Sequence, residues 1–384
     1  MEHLINEKVK KIEISGIRKF FNMVSGMTDM ISLTIGQPDF PTPEHVRKAG
    51  IKAIEENRTT YTHNAGYPEL RKAAADFYKK IYNVSYCAEN ETIITTGASE
   101  AIDITFRTIL EEGAEVILPG PVYPGYEPII TMCGAVPVHA DIRANHFRMT
   151  ASVIERYLTP KTRCIVLPYP SNPTGVSLDE NELQQIANLV KGKDIIILAD
   201  EIYSELSYET THVSIASFLK EHTIVINGLS KSHSMTGWRI GMLFAPEEIS
   251  KHLLKVHQYN VTCASSISQA AAIEALTVGI DDAESMRVEY AARRDYVHSR
   301  LEAMGLKAVK PDGAFYFFIK IPFEGISSFD FALTLVKKAK LAVVPGSAFS
   351  SFGEGYFRLS FAYGMETLRE GLDRLEAFLK KANN

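Results

Sequence analysis

Cysteine is scarce in this 384-residue sequence, and the 4 present, Cys87, Cys133, Cys164 and Cys263, share no Cys-x-x-Cys spacing. Neither a zinc site nor a disulfide framework is indicated, no metal is expected, and a reducing cytoplasm suits the chain best. Long apolar runs are missing too: nothing approaches the roughly 18 residues of a membrane span. Residues 1–8 have no apolar centre of signal-peptide length, so neither export nor membrane insertion is expected. Net charge is small, with 41 basic against 46 acidic residues giving −5. That balance supplies no general attraction to nucleic acid or anionic lipid, so an anionic ligand must be met by local donors. No repeat, low-complexity segment or basic helix-turn-helix stands out, which disfavours a DNA-binding sensor.

What is present is ordinary globular composition, 46% hydrophobic and 23% charged, in a chain long enough for a large α/β domain with a smaller companion. The most informative stretch is residues 226–241. Thr223–Asn227 has strand composition, Gly228 permits a sharp exit, and Lys231 follows between Ser230 and Ser232. Ligands of open α/β sheets gather at that carboxyl edge of the strands. Arg239, eight residues on, offers a planar fork suited to phosphate, with Gly237 and Gly241 leaving the backbone room to approach. An amine, hydroxyls and a guanidinium together suggest pyridoxal phosphate. Taken alone, they also suit a solvated loop lysine and an ordinary ion pair.

Other segments repeat the strand-end pattern. Residues 91–102 run from a β-branched strand through Gly97 into a helix, which would aim the N–H groups of Ala98 and Ser99, with the Ser99 hydroxyl, at an anion; a plain strand-to-helix turn reads the same. Asp194–Tyr203 is an apolar run that ends in Asp200, a carboxylate in need of a partner or a helix to cap, while Glu201 should point to the opposite face. A strand over 114–120 leads into an aromatic loop with Tyr123 and Tyr126. In 163–175, Pro170 and Pro173 fix the backbone around Asn172. Arg358 sits in the middle of a predicted strand, where burial demands either a bidentate carboxylate or an ion pair. Alternation of strands and helices over 92–245 predicts a mostly parallel sheet covered on both faces.

Taken in order, these segments resemble the motifs of the class I and II aminotransferases, the aspartate-aminotransferase-like enzymes of fold type I; Ser230–Arg239 is similar to their Ser-Lys-x-x-x-x-x-Gly-x-Arg motif. The resemblance implies an α/β fold: a large domain over 46–282 with a mostly parallel sheet, and a smaller α/β domain over 283–384 that includes the arm 1–45. It implies pyridoxal 5'-phosphate, tethered by Lys231, which also serves as general base. Asp200 would face the pyridine nitrogen, Asn172 and Tyr203 the phenolic oxygen, and Tyr123 the ring face. Ala98, Ser99, Ser230 and Arg239 would hold the phosphate, joined by Tyr61 from the neighbouring subunit of a homodimer. Gly36 and Ile17 would border the substrate, and Arg358 would grip its carboxylate.

The activity implied is ping-pong amino transfer between an L-amino acid and 2-oxoglutarate, with a lyase or decarboxylase on the same fold as an alternative. Residues 256–266 lack the arginine with which some members read a short distal carboxylate. A longer substrate is therefore expected, and the resemblance points to N-acetyl-LL-2,6-diaminopimelate in lysine biosynthesis, with Arg18 or Lys19 as distal contacts. Aromatic amino acids and aspartate are the alternative donors.

Overall fold

The computed structural model describes residues 1–14, 16, 20, 23 and 29–382, so Ile17, Arg18 and Lys19 lie outside the described residues. Among those described, no helix is long and apolar enough to cross a membrane. Strands are numbered along the chain. After β1 (Ile31–Ser32) come β2 (Thr92–Thr95), β3 (Glu115–Gly120), β4 (Val136–Asp141), β5 (Thr162–Leu167), β6 (Ile196–Asp200), β7 (Thr223–Gly228) and β8 (Gly241–Phe244). The last seven form one sheet in the order β2-β8-β7-β6-β5-β3-β4.

Every pairing in that sheet is parallel except those of β8, which runs antiparallel to both β2 and β7. Helices cover both faces, so the inner strands read as near-continuous apolar runs; all six residues of β7 are buried. Their alternation still sorts the faces. Ile197, Ala199 and Val225 join one core cluster, whereas Leu198, Ile224 and Ile226 join another. Edge strand β4 was not foreseen from sequence: its Val-Pro-Val-His composition is mixed and it carries Pro137, which an edge tolerates because only one side needs a full ladder.

A second sheet is built from β9 (Tyr316–Lys320), β11 (Val344–Pro345) and β12 (Tyr356–Ser360), antiparallel in the order β11-β12-β9. The apolar stretch 341–345 is split between two partners. Its first half, β10 (Leu341–Ala342), pairs in parallel with β1, and its second half turns to β12. A core rich in Phe315, Phe317, Phe331, Phe357 and Phe361 lies between this sheet and the helices Ala283–Ala303, Ser328–Ala339 and Met365–Ala382.

Where the strands of the large sheet end matters most for the site. Asp200 is the last residue of β6, and β7 passes through Gly228 into a four-residue turn of helix, Leu229–Ser232, that carries Lys231. The loops that follow β2, β3 and β5 leave from the same edge, because those strands run parallel to β6.

Candidate active site

Lys231 projects into a cavity of about 640 Å³ between the large sheet and β12, and its Nζ donates to the Gly36 carbonyl at 2.6 Å. The rings of Tyr203 and Phe315 lie 5.6 and 6.0 Å from that nitrogen. Burial first, and then the cations Arg358 and Arg239, lower its pKa from 10.5 to about 8, against a smaller opposing pull from Asp200. An ammonium surrounded by two guanidiniums and little water gives up its proton readily.

Asp200 is only 7% exposed. Its Oδ2 accepts from the Tyr126 hydroxyl at 2.6 Å and its Oδ1 from the Ile202 N–H at 3.3 Å. Burial raises its pKa, and these two hydrogen bonds hold the rise in check. Glu201 faces the other side of the strand, accepting from Tyr78 at 3.1 Å and Ser214 at 2.6 Å, as the alternation of strand side chains requires.

Arg358 spans the gap between the two sheets. Its Nη1 donates to Asn172 Oδ1 at 2.8 Å and its Nη2 to the Thr34 carbonyl at 2.5 Å, while the Tyr316 and Phe349 rings lie 4.3 and 5.0 Å from Cζ. Nε is buried with no partner among the described residues. Among the described residues no carboxylate neutralises this guanidinium, so both the ion pair and the free donor remain for a ligand. The Tyr203 and Tyr316 hydroxyls meet at 2.8 Å, and burial pushes both phenols up.

Arg239 stands at the start of the helix Ala98–Ile109. Gly97 has φ +79, and a Cβ built on it would fall 2.5 Å from Arg239 Nη2, so the guanidinium lies directly over the turn. Gly241 is required for packing: a Cβ there would meet Thr95 Oγ1 at 2.6 Å and the Gly97 carbonyl carbon at 2.7 Å. Gly36, Ala98, Ser99, Tyr123 and Ser230 line the same cavity, so eleven of the thirteen residues expected at the site are brought together. Tyr61 is not: it is 84% exposed and outside the cavity of its own chain. Ile17, the other, lies outside the described residues.

Sequence reasoning missed Tyr316 and the carbonyls of Thr34 and Gly36, and gave Tyr126 too little weight. A main-chain carbonyl carries no residue signature, and Tyr316 reaches Tyr203 across 113 positions. The aromatic run at 315–318 was the one available signal for it. Among the described residues, the cavity wall bears Lys231, Arg239 and Arg358 against the single acid Asp200, an excess that selects anions.

The chain belongs to the class I and II aminotransferases, whose family model matches residues 28–375, and it is a pyridoxal-phosphate-dependent enzyme that moves amino groups between amino and oxo acids. It is 64% identical to the probable N-acetyl-LL-diaminopimelate aminotransferase of Bacillus subtilis (strain 168), over 99% of this chain and 97% of that protein. It is 40% identical to aromatic-amino-acid aminotransferase 2 of Thermococcus litoralis, over 98% of each. The solved aspartate aminotransferase of Thermus thermophilus with maleate superposes with a TM-score of 0.93 at 35% identity, over 97% of this chain and 99% of that one. The residues present fit the cofactor. An amine of lowered pKa stands beside a buried carboxylate, and a guanidinium lies over a glycine turn where a Cβ would collide.

Proposed function

We propose that Lys231 is the amine that holds pyridoxal phosphate and that the amino donor docks its carboxylate on Arg358. The observation that carries this reading is the pair itself: an amine with a pKa near 8 shares one cavity with a buried arginine whose Nε lacks a partner. Arg239, Ser230, Ser99 and the N–H groups of Ala98 and Ser99 take the phosphate. Asp200 keeps a proton on the pyridine nitrogen, with Tyr126 holding the carboxylate in place. Asn172 and Tyr203 donate to the phenolic oxygen, and Tyr123 covers one ring face. When bound, the cofactor supplies the electron sink for the donor's Cα–H bond. Neutral Lys231 Nζ would accept the proton from the donor's Cα and hold it for return, the general-base role that amino transfer needs. Lys231→Ala is expected to lose turnover and the visible absorbance of lysine-linked cofactor; a variant with full activity overturns the assignment.

The donor we propose is N-acetyl-LL-2,6-diaminopimelate, with 2-oxoglutarate as acceptor, in lysine biosynthesis. The 64% identity over nearly the full length of both chains supports it. Gly36 and Ile17 border the substrate in this reading, with Arg18 or Lys19 at its distal end. An aromatic donor is the second reading, favoured by the Thermococcus litoralis relative. Comparison of kcat/KM for the acetylated diamino acid, aspartate, alanine and phenylalanine decides, and preference for phenylalanine or aspartate overturns the first choice.

The chain is proposed to act in the cytoplasm as a homodimer in which exposed Tyr61 reaches the neighbouring cofactor phosphate. Residues 46–282 form the cofactor-binding domain, and residues 283–384 with the arm 1–45 form the smaller one. The pairing of β1 with β10 supports that grouping of the arm.

A further inference from the structure

A buried acid and imidazole lie directly behind the helix start that carries Ala98 and Ser99. Glu100 is 8% exposed and His257 0%. Glu100 Oε2 accepts the Thr96 N–H at 2.5 Å, and its Oε1 meets His257 Nδ1 at 2.6 Å. On the far side, His257 Nε2 meets the Asn64 carbonyl at 2.8 Å, and Asn64 Nδ2 donates to the Thr262 carbonyl at 2.8 Å. One relay thus joins the turn before Gly97, the helix Glu247–Val261 and the loop that follows Tyr61.

The chemistry of the contacts defines the proton inventory. A carbonyl only accepts, so His257 Nε2 carries a hydrogen, and the 2.6 Å contact on the other side holds one more between Nδ1 and Oε1. Wherever that proton sits, the pair is neutral. This matters because an uncompensated carboxylate in the first turn, beneath Ala98 and Ser99, would oppose any anion held there.

We propose that Glu100 and His257 are positioning residues for the phosphate end of the cofactor: Glu100 pins the Thr96–Gly97 turn, and His257 cancels the charge this places behind the anion cradle. The inference rests on the reading that Arg239, Ala98 and Ser99 hold the phosphate. It differs from a purely structural role in that it concerns the phosphate alone.

The test compares pyridoxal phosphate with pyridoxal, which lacks the phosphate, on holoenzyme equilibrated with each and read by visible absorbance. His257→Phe is expected to weaken retention of pyridoxal phosphate by about tenfold or more, the effect of stranding a buried charged hydrogen-bonding group, and to leave pyridoxal unchanged. Glu100→Gln is expected to stay near wild type, because its amide oxygen still accepts from Thr96 and its NH2 donates to Nδ1. Adding Glu100→Gln to His257→Phe should recover most of the lost phosphate affinity, since no carboxylate is left behind the cradle. Equal weakening of both ligands, or of neither, overturns the proposal. Should His257→Phe not fold, Glu100→Asp, too short to span both partners, is read in the same way. Arg239→Leu separates the two claims. If it leaves the preference for the phosphorylated ligand intact, the cradle reading itself is wrong; if it removes that preference while His257→Phe does not, only the positioning role fails.

Discussion

At the scale of single residues, Lys231 differs from a surface lysine through its surroundings. Because its folded pKa of about 8 lies below the ordinary 10.5, the unfolded chain binds more protons in the window between them. Stability linked to this group therefore rises with pH through that window, and the penalty is complete below it. In ligand-free protein the neutral amine should reach half its population near pH 8. Acetylation of Lys231 across a pH series, followed by mass spectrometry, checks this, and a midpoint near that of exposed lysines would contradict it. Arg358 gives a second test at this scale. Arg358→Lys keeps one positive charge but loses the planar fork, so a charge-assisted hydrogen bond of roughly 1.5–3 kcal/mol is forfeited, about ten- to a hundredfold in kcat/KM. An unchanged KM for the amino donor would show that the carboxylate docks elsewhere.

At the scale of elements, the ends of β6 and β2 set the electrostatics. Asp200 is raised by burial and pulled back by the Tyr126 hydroxyl. Tyr126→Phe removes that hydrogen bond, so the carboxyl pKa rises further and the acid limb of the kcat profile moves to higher pH; a profile identical to wild type would remove Asp200 from that limb. In the turn after β2, Gly97→Ala forces a Cβ into φ +79 and against Arg239. With ψ at 167 this is a backbone region essentially confined to glycine, costing another residue about 1–3 kcal/mol, and the displaced guanidinium would weaken the proposed anion cradle. Thermal unfolding with and without cofactor should show a smaller cofactor-induced gain in Tm for this variant than for wild type. An equal gain would mean that Arg239 does not need the glycine.

At the scale of the whole molecule, the Arg358 end of the cavity exists only because the two sheets meet. Arg358 on β12 touches Asn172, 186 residues earlier, and Thr34, 324 residues earlier. The proposed contribution of Tyr61 to a neighbouring site extends this dependence across subunits. Co-expression of Lys231→Ala with Tyr61→Ala tests it. If Tyr61 acts in trans, a mixed dimer has one site with both defects and one with neither, so activity returns. If it acts within its own chain, every site keeps one defect and no recovery is seen.

Much of this was legible in the chain itself. Apolar runs ending in Asp200, or followed closely by Lys231, mark strand ends, and strand ends of a parallel sheet share one edge, so local pattern sufficed to bring these groups together. Tertiary structure alone decided the direction of β8, the division of residues 341–345 between two partners, and the main-chain acceptors of Arg358 and Lys231. Those acceptors are the carbonyls of Thr34 and Gly36, groups common to every residue, and only their placement by distant packing distinguishes them. The same holds for the burial of Glu100 against His257, 157 positions apart. Sequence was enough to single out Lys231, Asp200, Arg239 and Arg358, which line one cavity; the meeting of remote segments determined their charge states, because burial and neighbouring cations set a pKa and neither is a local property.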